Sequence, residues 1–153
     1  MFKSQSSFQN SFLGGFAYQQ IVNRHKNHLL MRLNKAVDLS FVEELVKDCY
    51  VDDNGRNAYH PVIMFKILFL QTLYDKSDRK VTEAVDTNIL FRHFCGLSLN
   101  DETPHFTLLG KFKERLGEDS FNQIFHQIVL FAKQAGLLSD TLRIIDCSAV
   151  EAK

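Results

Sequence analysis

Proline and glycine are scarce in this sequence, two and seven residues in 153. That leaves too little turn chemistry for the many tight connections of an all-β sandwich, and it points to a helical protein. Tryptophan is absent. The three cysteines, Cys49, Cys95 and Cys147, are an odd number, widely spaced, with no C-x-x-C pair. Such a set argues against a disulfide scaffold or a zinc finger and suits a reducing cytoplasm. No apolar run reaches the roughly 18 residues needed to cross a bilayer, and the N-terminus carries no cleavable signal pattern, so no membrane partner is expected. Internal repeats, low-complexity stretches and Pro- or Ser-rich linkers are missing as well. What is present, 45% apolar and 24% charged residues, is the composition of one compact globular domain.

The net charge is zero, but the zero is a cancellation between segments. Residues 1–36 hold five cations (Lys3, Arg24, Lys26, Arg32, Lys35) and no acid. Residues 37–55 hold six acids against Lys47, residues 56–115 nine cations against seven acids, and 116–153 three against five. Local basic patches can therefore exist on a neutral chain, and phosphate contacts respond to the local field.

The first thirty residues are polar with scattered aromatics, which predicts a loosely ordered basic arm. In VDLSFVEELVKDCY, Ser40 followed by Glu43 reads as a capping box ahead of a short helix. DDNGR is a turn by composition. His60-Pro61 opens HPVIMFKILFLQTLYD, apolar nearly all round and too short to span a membrane, hence the central buried helix of a bundle. Ser77 or Asp78 can cap the next helix, DRKVTEAVDTN, and ILFRHF follows it and stops at Gly96. Pro104 introduces a helix with Leu108, Leu109, Phe112 and Leu116 on one face. Ser120 is placed as the cap of the last, where Phe121, Ile124, Phe125, Ile128, Val129 and Ala132 repeat at 3–4 spacing and Gly136 closes the run.

The period then changes. TLRIIDCSAV reads as a strand with Asp146 near its end. A lone strand has no stable existence, so it either pairs with another chain or begins the sheet of a longer protein.

The segments LNKAVDLSFVEELVKDCY, HPVIMFKILFLQTLYDKSDRKVTEAV, FRHFCGLSL, TPHFTLLGKFKERLG and IIDCSAVEAK, in this order, resemble the N-terminal part of bacterial insertion-sequence transposases of the InsH-like class over roughly residues 30–153. The resemblance implies a helical, DNA-binding and dimerising domain over 31–138, following an arm over 1–30. It implies that residues 139–153 are the first strand of a truncated ribonuclease-H-like catalytic domain. The fold class expected is therefore mostly α, a multi-helix bundle with a helix-turn-helix-like unit, ending in that strand. In the family, the first catalytic aspartate ends this strand in D-(A/S/G)-(T/S)-x-x-x-A, matched here by Asp146, Cys147, Ser148 and Ala152. The chain departs from the family pattern at Cys147, where a small residue is usual, and at His105, where many relatives carry aspartate.

Asp146 is the candidate catalytic and metal-binding residue. Two-metal phosphoryl transfer needs carboxylates that hold divalent ions, and Mg²⁺ suits oxygen ligands. The other two acids of the family triad are absent, so this chain alone is expected to lack strand-transfer activity and to need no cofactor. Arg79, Lys80, Arg92, Lys111, Lys113 and Arg115 are the candidate DNA contacts. The first three lie on two short consecutive helices, a helix-turn-helix-like layout, while Lys111 and Arg115 share a face of the following helix that Lys113 does not. The bland alternative is a solvated surface with Glu83, Asp86 and Glu114 as partners.

The six histidines show no ligand set for a metal, and His60 is most simply a helix-entry residue. Most phenylalanines fall on apolar helical faces and belong to the core rather than to a base-stacking platform. His93 and Cys95 lack an orienting acid for nucleophilic chemistry.

The function expected is recognition of an element's terminal inverted repeats by a homodimer, in a bacterial cytoplasm and on its nucleoid, with no small-molecule substrate. Two other readings remain: a protein-interaction module that dimerises through the apolar helix 61–75 without touching DNA, and a decayed gene remnant.

Overall fold

The computed structural model describes residues 12–49 and 59–137. These form eight α-helices: α1 (Phe12–Arg24), α2 (Leu29–Ala36), α3 (Ser40–Val46), α4 (Pro61–Leu73), α5 (Asp78–Thr87), α6 (Ile89–Cys95), α7 (Phe106–Leu116) and α8 (Glu118–Gln134). No strand occurs among the described residues. The strand expected around residues 142–147 lies outside them, as do Asp146 and Cys147.

The bundle is organised around α4. Pro61 sits at its first position, where the missing N–H is no loss, and the His60 imidazole accepts a hydrogen bond from Val62 N at 3.2 Å through Nδ1. Because α4 is apolar on every side, it has to be covered on every side. It packs against α3, α5, α6 and α7, and Phe65 and Phe69 reach α8. The Phe69 ring is 5.8 Å from that of Phe94 and 5.2 Å from that of Phe125. With Met64, Ile67, Leu70, Phe112 and Ile128 these rings fill the core. Most of its apolar side chains are therefore used inside the bundle, while Val62, Ile63 and Tyr74 stay only partly covered.

Of the loosely ordered arm expected over residues 1–30, residues 1–11 lie outside the described residues, and from residue 12 on the chain forms α1 and the beginning of α2. Among the described side chains, Val22 and Tyr18 hold α1 to the bundle. Val22 is buried, and the Tyr18 hydroxyl donates to the Leu97 carbonyl at 2.9 Å, tying the helix to the end of α6. Burial pushes the Tyr18 phenol up to about 12.

Two caps, at α3 and α8, differ in place from the sequence expectation, and at α5 one of two candidates is the cap. Ser40 is already helical, and the acceptor for its N–H is the Asp38 carboxylate at 2.9 Å, which holds Asp38 below the usual carboxylate range. Ser77, rather than Asp78, caps α5 by accepting from Lys80 N. α8 begins at Glu118 after Gly117, which turns the chain at φ 84°, so Ser120 lies inside the first turn and caps nothing. Gly96 ends α6 in the left-handed conformation, φ 81°, as its position suggests.

Candidate nucleic-acid interface

The six basic residues proposed for contact with DNA fall into three environments. Arg79 and Lys80 stand on the first turn of α5, exposed. The Arg79 guanidinium carbon lies 4.1 Å over the Phe106 ring at the start of α7, and Lys80 Nζ is 3.9 Å from Glu83. The stacking fixes the Arg79 plane while its edge faces solvent.

On α7, Lys113 Nζ donates to Asp78 Oδ1 at 2.6 Å, and Gln71 Nε2 of α4 donates to the same oxygen at 2.5 Å. Burial raises the Asp78 carboxyl, but the two donors outweigh it and leave the group below the ordinary carboxylate range. This junction joins α4, α5 and α7. Lys111 and Arg115 project from the other side of α7 as their i,i+4 spacing suggests, exposed and without an ion-pair partner among the described residues.

Arg92 belongs to neither surface. It is buried on α6, 3% exposed, because its guanidinium organises the connector from Gly96 to His105. Nη1 donates to Thr103 Oγ1 at 3.0 Å, and Nη2 donates to the carbonyls of Asp101, at 2.7 Å, and Ser98. Thr103 in turn donates to Asp86 Oδ1 at 2.8 Å, and Asp86 lies 3.6 Å from Arg92 Nη1. The Asp101 carboxylate accepts from Ser98 N, closing the same loop from inside. A guanidinium so enclosed presents nothing to a phosphate, which separates Arg92 from the five exposed candidates.

The joint between α5 and α6 is Asn88 alone. It ends one helix and caps the next, its side chain accepting from Leu90 N and Phe91 N. This is tighter than the three- or four-residue turn of most DNA-reading helix pairs. α6 buries Phe91, Phe94 and Cys95 beside Arg92, so the exposed basic groups of the pair all sit on α5.

No group of three His, Cys, Asp or Glu among the described residues is placed to hold a metal ion. Three histidines act as helix caps instead: the Nδ1 atoms of His28, His60 and His105 accept from the backbone at the starts of α2, α4 and α7. His60 is the helix-entry residue its position suggests. Cys95 is fully buried, and that burial pushes its thiol up to about 12, far from a nucleophile's range. No described helix is long and apolar enough to cross a membrane.

The sequence puts Arg79, Lys80, Lys111 and Arg115 on helices where they stand exposed, and it hides one partner and one orientation. The Lys113–Asp78 contact spans 35 residues, beyond any local pattern. The inward turn of Arg92 is visible only in hindsight, as a cation one residue after Phe91 and two before Phe94. A family model described as Transposase domain (DUF772) matches residues 17–115, from within α1 to the end of α7. No solved structure matches the chain.

Proposed function

Since the chain belongs to the Transposase domain (DUF772) family, whose model covers 99 of its 153 residues, we propose that its helical bundle is the DNA-binding part of an insertion-sequence transposase. The observation that carries this reading is the coincidence of the matched span with α1–α7, the helices that bear the exposed cations. On this reading the partner is the element's terminal inverted repeats, bound by a homodimer, and the class is InsH-like. The helix-turn-helix-like unit is α5–α6, with Arg79 and Lys80 on its exposed helix and Lys111, Lys113 and Arg115 on the neighbouring α7.

The same reading gives Asp146 the role of first metal-binding carboxylate of the intact enzyme. Mg²⁺ there would supply the charge that activates and stabilises oxygen in phosphodiester cleavage and joining. The described residues offer no set of three ligating side chains for it, and Asp146 itself lies outside them.

The test begins with the DNA on both sides of the reading frame, searched for inverted repeats. Fluorescence anisotropy with a labelled repeat duplex and a scrambled duplex of equal length then measures affinity as salt is raised. The expected result is tighter binding to the repeat and a negative slope of log K against log salt. Removing Arg79 and Lys80 together should lower that slope by about 0.9 per lost phosphate contact. Salt-independent affinity, or none for either duplex, overturns the reading.

A further inference from the structure

Cations available to a polyanion are those not already neutralised. Between residues 77 and 116, six cations face six acids in the sequence, and the structure pairs several of them: Lys80 with Glu83, Arg92 with Asp86, Lys113 with Asp78. The surface proposed above is therefore close to neutral. The consecutive helices α1 and α2, a hairpin in chain path in which each packs on α6, are different. From residue 12 to residue 37 there are four cations and no acid. Arg24, Lys26, Arg32 and Lys35 are all exposed, and no carboxylate among the described residues lies within ion-pair distance of any of them. The nearest acid in sequence, Asp38, has its carboxylate on Ser40 N.

The hairpin holds these charges on ordered backbone. His25 N bonds Val22 O at 3.1 Å, His28 N bonds His25 O at 2.9 Å, and His28 Nδ1 accepts from Leu30 N. α2 buries Leu30, Met31 and Leu33 against the bundle, which turns Arg32 and Lys35 outward, one helical turn apart. Neither α1 nor α2 has an acid in its first turn, and Arg24 and Lys35 stand in their last turns.

We propose that the α1–α2 hairpin is the principal phosphate-contacting surface of this protein, with Arg24, Lys26, Arg32 and Lys35 seated on the DNA backbone. α5 and α7 then carry the smaller electrostatic share. The inference rests on the DNA-binding reading given above and deepens it.

The experiment compares three full-length chains in the anisotropy titration, each first shown by its urea midpoint to be folded. They are the unaltered protein, the hairpin variant (Arg24→Gln, Lys26→Gln, Arg32→Gln, Lys35→Gln) and the α7 variant (Lys111→Gln, Arg115→Gln). All four hairpin side chains are exposed and have no ion-pair partner among the described residues, so the midpoint should not move. The expected result is that the hairpin variant loses about 3 to 4 from the slope of log K against log salt, at about 0.9 per contact. It should keep its preference for the repeat over the scrambled duplex, because phosphate contacts carry no sequence information. A hairpin slope within about 1 of the unaltered protein, or a larger loss in the α7 variant, overturns the inference and leaves the DNA-binding reading standing. If the unaltered protein shows no salt-dependent DNA affinity, that reading falls and the inference with it. Hairpin-dependent binding to anionic phospholipid vesicles at a salt concentration where DNA is released overturns the assignment of DNA as the hairpin's partner.

Discussion

Replacing Arg92 with alanine should be among the most damaging single changes in the chain. The guanidinium makes hydrogen bonds to Thr103 Oγ1 and to the carbonyls of Ser98 and Asp101, all in an environment where Arg92 itself is 3% exposed. Hydrogen bonds from a charged donor contribute about 1.5–3 kcal/mol each, and the acceptors left behind inside the fold keep their desolvation penalty. Against this stands the relief of a buried cation, whose Nε already lacks a partner. Breaking such a network from one side costs roughly 3–5 kcal/mol. For a chain of this size that is a fall of roughly 6–20 °C in the thermal midpoint. Arg92→Lys cannot reach all three acceptors from one ammonium and should lose at least about 2 kcal/mol. Asp86 is the exposed end of the network, its side chain 65% accessible, so Asp86→Asn should cost under about 1 kcal/mol. Urea denaturation at constant slope reads all three, and limited proteolysis between residues 96 and 105 should speed up in the Ala and Lys variants alone. An Arg92→Ala protein within about 1 kcal/mol of the original would refute the claim that this side chain holds the α6–α7 connector.

Further perturbations report on other parts of the bundle. Burial, with a smaller contribution from His25, holds the His28 imidazole below its ordinary value; His93 is lowered by burial and then by Lys66. Both are therefore neutral in the fold when the unfolded chain has begun to bind protons, so stability is complete above about pH 6.5 and declines as the pH falls toward the depressed values. Urea midpoints taken across that range should show the decline, and His28→Asn, which keeps a capping acceptor without titrating, should shallow it. Tyr18→Phe removes the bond to Leu97 O and should cost about 1 kcal/mol in the same assay. Since the folded phenol ionises only at about 12 while the unfolded one does so near 10, the stability contributed by Tyr18 is present below pH 10 and lost on going above it. Ultraviolet titration should show a late tyrosinate phase that Tyr18→Phe diminishes, the remainder being Tyr74, which burial raises as well. Phe69→Ala opens a hole between Phe94 and Phe125 and should cost about 3–5 kcal/mol by urea denaturation, whereas Lys111→Ala should be neutral.

The parts of this fold legible in the sequence are those fixed by local chemistry. His60-Pro61 marks the start of α4, Ser77 the start of α5 and Gly96 the end of α6, because each acts on backbone within a few residues of itself. The apolar stripes of α7 and α8 are visible because a 3.6-residue period is written directly in the residue order. α1 is not legible, since a helix with Val22 as its one buried residue among the described side chains leaves almost no periodic trace. Two caps are shifted for a similar reason: an Asp38 or a Gly117 can stand in for a nearby serine, and only the backbone path decides. The candidate site divides along the same line. Arg79, Lys80, Lys111 and Arg115 are exposed on the helices where they were expected. The pairing of Lys113 with Asp78 and the inward turn of Arg92 depend on how distant segments meet, and no local pattern contains that. The acid-free stretch at the front of the chain is plain from composition, but its meaning changes once it is a folded hairpin rather than an arm.

The all-round apolar surface of α4 also has a consequence for synthesis. Residues 61–73 leave the ribosome well before the segments that cover them, since α8 does not end until Gln134. Some sixty further residues must be translated, which at bacterial-like rates of roughly 5–20 residues per second leaves this helix with an incomplete coat for roughly 3–12 s. During that interval it is 13 residues of nearly uninterrupted hydrocarbon, a natural ligand for chaperones and a site of association between nascent chains. Overproduction should therefore yield inclusion bodies more readily than the modest size of the finished bundle suggests. Slowing translation initiation, rather than strengthening the folded state, should raise the soluble yield.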